Sequence, residues 1–147
     1  MQTQVTVDVA AQGSEVFAVM ADLSNYRELI PLVHSVKQVA SSEPWLWEVE
    51  LRAKVGPFAR SKKLTMTRTV NESPNRLVFA RHETDNRDHA QWTLSVDITD
   101  AGAATQISLH LLYGGRLWTG GVLEKILHDN IAVGAANLQN RFGSPKR

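Results

Sequence analysis

After Pro31 the apolar pattern of this chain switches from a helical repeat to strict alternation, and it alternates for about 80 residues. The alternating segments are Leu32–Ala40, Trp45–Lys54, Ala59–Asn71, Arg76–Glu83, Ala90–Asp100 and Thr105–Tyr113. Turn-forming runs separate them: SSEP, VGPF, NESPN, ETDNRD and DAGAA. Connections this short favour neighbouring antiparallel strands. An earlier strand, QVTVDVA, alternates Val5, Val7 and Val9 with polar residues. Between it and Pro31 the spacing predicts two short helices, EVFAVMADL capped by Ser14 and SNYRELI capped by Ser24. Proline ends the second. A long helix from Val122 to Phe142, about 31 Å in length, closes the pattern. The order of strand, two short helices, six strands and long helix predicts an α+β fold.

The alternation also assigns faces. Trp45, Trp47, Val49 and Leu51 share one parity, and Glu48, Glu50 and Arg52 the other. Leu64, Met66 and Val70 share theirs with Arg68; Leu77 and Phe79 share theirs with Arg81. Trp92, Leu94, Val96 and Ile98 oppose Thr93, Ser95 and Asp97, and Ile107, Leu109, Leu111 and Tyr113 oppose Ser108 and His110. One apolar and one wet face describe an antiparallel sheet covered on one side. The long helix is the cover. Leu123, Ile126, Leu127, Asn130, Ile131, Gly134, Asn137, Leu138 and Arg141 recur at three- and four-residue spacing. Gly134 lies on this stripe, although a helical glycine costs about 1 kcal/mol relative to alanine. Two readings account for it: open space for a ligand, or close packing of the helix backbone against a bulky neighbour.

Composition narrows the class. With 147 residues the chain suits one domain, residues 1–147, able to bury about 70% of its unfolded surface. The formal charge of +1 favours neither nucleic acid nor an anionic membrane, and RSKK (Arg60–Lys63) and Lys146-Arg147 read as a solvated strand and a tail. There is no cysteine, hence no disulfide, thiolate metal site or cysteine nucleophile. The first residues have no signal-peptide pattern, and no apolar run reaches membrane-spanning length, so a cytoplasmic protein is expected.

Three stretches resemble the START-like (SRPBCC) superfamily, most of all its polyketide cyclase/dehydrase and lipid-transport group, which includes the coenzyme Q-binding proteins. They are VFAVMADLSNYRELIPLVHSV, with Asp22, Tyr26 and Pro31 at the family's positions; Trp47 followed by VGPF and a long strand; and the glycine-containing last helix. The resemblance covers essentially the whole chain. It implies a helix-grip fold, a seven-stranded antiparallel sheet wrapped around the C-terminal helix, with an elongated, mostly apolar cavity between them. Parity then places Trp45, Trp47, Met66, Phe79, Trp92, Leu111 and Tyr113 on the sheet side of that cavity and Leu127, Ile131 and Gly134 on the helix side. Trp118 is expected at the mouth. Arg68 and Arg81 share the inward parity, so each must reach solvent, pair with a carboxylate, or meet an anionic or carbonyl group on a ligand.

Catalytic patterns are sparse. The histidines form no metal-binding motif; His34 and His89 are the pocket candidates, while His82, His110 and His128 face outward. There is no nucleophile elbow, no phosphate loop and no inward carboxylate pair. No cofactor, metal or nucleic-acid partner is expected, and the oligomer is a monomer or homodimer. Two functions remain: a carrier or sequestering protein for a hydrophobic molecule (lipid, isoprenoid or polyketide-like), or a cyclase or dehydratase in which Arg68, Arg81, His89 or Tyr113 polarises a carbonyl or moves a proton.

Overall fold

The computed structural model describes residues 1–40, 45–114 and 122–145, with Val55 described for its backbone alone. The strands are β1 (Gln2–Val9), β2 (Val33–Ala40), β3 (Leu46–Val55), β4 (Phe58–Glu72), β5 (Arg76–Arg81), β6 (Trp92–Ala101) and β7 (Ala104–Tyr113). Helix α1 (Gly13–Met20) and a 3-10 helix (Leu23–Arg27) lie between β1 and β2, and α2 spans Val122–Phe142. The seven strands form one open antiparallel sheet in the order β1-β7-β6-β5-β4-β3-β2. Sequential hairpins set five of its six pairings. The sixth brings β1 back beside β7, where Val5 and Val7 pair with Leu109 and Ile107.

Local chemistry departs from expectation between β1 and β2. Ser14 lies inside α1, not at its cap: Gln12 holds the cap position and no side chain bonds there. The second helix is a short 3-10 turn rather than an α-helix. Asp22, not Ser24, caps it, its Oδ1 accepting from Ser24 N at 2.9 Å. The same oxygen accepts from Trp47 Nε1 at 3.2 Å. Tyr26 is 2% exposed and its hydroxyl donates to Met20 O at 2.8 Å. Asp22 and Tyr26 therefore tie the two short helices to each other and to β3. Strand β5 ends at Arg81 and β6 begins at Trp92, each two residues short of the expected bound. Asp85 turns the connecting run by accepting from Arg87 N at 3.1 Å.

Helix α2 runs over the residues its spacing predicts. It packs its backbone chiefly on β1, and His128 Nδ1 and Gln139 Nε2 bond Thr3 Oγ1 and Asp8 O there. Its other contact explains Gly134. The segment from Leu29 to Leu32 passes directly under the helix. Asn130 Oδ1 accepts from Leu32 N and Asn137 Nδ2 donates to Leu29 O, both at 2.7 Å. Gly134 stands between these asparagines on the same helical face. A β-carbon there would lie 3.0 Å from Ile30 Cγ1. The structure thus supports close packing as the reason for the glycine: the Leu29–Leu32 segment approaches the helix backbone, and two asparagines clamp it on either side.

Candidate functional site

Between the sheet, the Leu29–Leu32 segment and α2 lies a cavity of about 80 Å³. Leu23, Tyr26, Ile30 and Leu32 wall one side of it and Ile131 of α2 another. The sheet contributes Val33 and Val36 from β2, Val49 and Leu51 from β3, Leu64 and Met66 from β4, Trp92 and Leu94 from β6, and Leu111 from β7. No carboxylate, histidine, lysine or arginine is among them. The phenol of Tyr26 is occupied by Met20 O. Trp92 is 6% exposed, and among the described residues its buried Nε1–H has no hydrogen-bond partner. Half-buried Val33, Val36 and Leu51 carry the wall toward solvent on the β2–β3 side.

Of the expected lining, Met66, Trp92, Leu111 and Ile131 meet at this cavity. The other expected residues stand around it. Trp47 and Phe79, both fully buried, join Tyr26 in an aromatic cluster, with Phe79 edge-on to Trp47 at 5.7 Å and to Tyr26 at 5.8 Å. Trp45 stacks on Trp47 at 6.1 Å. Tyr113 tilts against Trp92 at 4.4 Å between centroids. Burial raises the pKa of its phenol, opposed by the charge of Arg81. Leu127 is fully buried in the core, and Gly134 touches Ile30 behind the cavity wall. Trp118 lies outside the described residues.

Both inward arginines have protein partners. Arg68 Nη1 donates to Ala21 O at 2.8 Å, and its guanidinium sits 5.2 Å from the Trp45 ring and 6.0 Å from that of Trp47. Arg81 pairs with Glu83 at 3.0 Å and donates to Ala90 O at 3.3 Å, with its side chain 8% exposed. Burial pushes the Glu83 carboxyl up. Bonds from Thr65 N and Arg81, with the Arg81 charge, outweigh this and hold it below the usual glutamate range. His89, a pocket candidate in sequence, is exposed and bonds Asp85 at 2.8 Å. His34 is also exposed, 3.8 Å from Glu50. Among the described residues no cluster of acidic and histidine side chains could hold a metal ion.

The sequence reading missed the contribution of the segment from Leu23 to Leu32. Alternation reports which strand residues face inward, and it carries no information on an irregular segment folded beneath them. The signal was present in the density of large apolar residues: Leu23, Tyr26, Leu29, Ile30 and Leu32 are all buried.

Solved structures share this fold. A START superfamily protein from Mycobacterium smegmatis superposes with a TM-score of 0.76 at 16% identity, covering 96% of each chain. A protein from Thermus thermophilus matches at 0.73 and 16% identity over 97% of each. An aromatase/cyclase from a Streptomyces species matches at 0.70 and 19% identity over 96% of this chain and 92% of that one. At such identities these likenesses describe the fold alone. No curated protein matches the chain in sequence. The family model described as "Polyketide cyclase / dehydrase and lipid transport" matches residues 1–143, and the chain, with its helix-grip fold, belongs to that START-like family.

Proposed function

We propose that this protein binds a hydrophobic small molecule (a lipid, isoprenoid or polyketide-like compound) between its sheet and α2, and serves as a carrier or sequestering protein. The observation that carries the reading is a cavity walled wholly by apolar and aromatic side chains. Acid–base chemistry has less to stand on: Arg81 is held by Glu83 and Arg68 packs against Ala21 and two tryptophans.

The cavity is small. Pockets for drug-sized ligands hold about 300 Å³ or more, so uptake must widen it. Met66, an unbranched thioether on the wall, is the side chain best able to yield.

Val49→Phe tests the reading. Val49 is 6% exposed and projects into the cavity from β3, so the added ring has void to fill and the fold should hold. Titration with the apolar fluorophore phenylnaphthylamine is expected to show saturable binding to the natural protein and at least about tenfold weaker binding to the variant. Equal fluorophore binding by Val49→Phe with an unchanged melting temperature would remove this cavity as the site.

A further inference from the structure

The β3–β4 hairpin reaches past the body of the protein. Register from Leu46↔Thr67 out to Val55↔Phe58 leaves a two-residue turn, Gly56-Pro57, with Gly56 at φ 63°. Every residue from Gly56 to Lys63 is exposed, so neither face of the outer part of β4 is covered by the body. At the tip Phe58 is 67% exposed, the highest among the exposed large hydrophobic residues described.

Charge is segregated to the same place. Residues 52–63 hold Arg52, Lys54, Arg60, Lys62 and Lys63 and no acid. They are five of the 16 basic residues, so the rest of the chain sets 11 basic against 15 acidic side chains. A chain of formal charge +1 is therefore a cationic hairpin on a net acidic body. Among the described residues two acids flank the hairpin's base: Glu50 opposite Lys63 in the ladder, and Glu83, whose charge acts on Lys62. Toward the tip, Arg52 faces Ser61 and Lys54 faces Ala59.

We infer that this hairpin docks the protein on an anionic phospholipid surface. The arrangement matches the layering of a bilayer interface: Phe58 enters the acyl boundary while cations on both faces of the hairpin, about 7–17 Å behind it along the strands, lie among the phosphates. A nucleic-acid surface would use the cations but is a poorer fit to a lone aromatic at a protruding tip, since base-binding sites stack successive bases on several rings in a groove. Phe58, Arg60 and Lys62 share their strand face with Leu64, which lines the cavity about 20 Å behind the tip. A docked hairpin thus sets the β2–β4 end of the cavity toward the membrane. The docking itself does not depend on what the cavity holds.

Co-sedimentation of the intact protein with phosphatidylcholine vesicles, with and without phosphatidylglycerol, tests the inference. Binding is expected on the phosphatidylglycerol vesicles, lost in high salt and absent on phosphatidylcholine alone. Phe58→Ser should weaken it about tenfold, and Arg52→Glu with Lys54→Glu by more than that. These side chains are exposed, so unchanged melting temperatures are expected to accompany the losses. No sedimentation with anionic vesicles, binding that survives both sets of substitutions, or capture of a single-stranded oligonucleotide in place of vesicles would each overturn the inference.

Discussion

Gly134→Leu is expected to destabilise the protein by about 3 kcal/mol or more, read as a fall in the urea midpoint. The first side-chain carbon alone would stand 3.0 Å from Ile30 Cγ1, and Leu29 O is 3.7 Å from the same position. A leucine adds three carbons beyond it. Overpacking of a well-packed site costs about 1–3 kcal/mol, and here the shifted segment also stretches the bonds from Asn130 and Asn137. The helical gain on replacing glycine, about 1 kcal/mol at most, does not offset this. Gly134→Ala separates the two terms: it recovers propensity while asking Ile30 to yield by a few tenths of an ångström, and its net change should be within about 1 kcal/mol. A Gly134→Leu variant as stable as the natural protein would mean that the helix faces open space there.

Trp47→Ala should be costlier still, about 3–5 kcal/mol. Its ring is 0% exposed and contacts Phe79, Trp45 and the Arg68 guanidinium. Its Nε1–H also supplies one of the two bonds to Asp22 Oδ1. Truncation leaves a large void and weakens the anchor of the 3-10 helix at once. Trp47→Phe keeps most of the packing and loses the bond to Asp22, so it should cost about 1–2 kcal/mol. A similar midpoint for both variants would show that the hydrogen bond, rather than the packing, dominates at this site.

The architecture was legible because each of its signals is periodic. Alternation over β2 to β7 gave strands and faces together, and the three- and four-residue spacing of α2 gave its C-terminal end at Phe142. Cavity-wall residues were legible only where periodicity decides them: Met66, Trp92 and Leu111 on strands and Ile131 on the helix. Parity places a residue on the inner face without saying what covers it, so Trp47 and Phe79 were read as cavity wall, whereas Tyr26 covers them. Arg81 followed the same logic, and its partner Glu83 lies two residues on, past the end of β5. The roles of Asn130 and Asn137 depend on backbone atoms of a segment about 100 positions earlier, which no local pattern encodes.

The most direct test of ligand carriage is native mass spectrometry of the protein purified from its own cells, run beside Val49→Phe and followed by solvent extraction of both. The account predicts a reproducible non-covalent adduct on the natural protein, extractable as a hydrophobic compound, and its loss from the variant. An adduct of equal occupancy on Val49→Phe, or a natural protein that stays free of ligand even when mixed with a cellular lipid extract, would contradict it.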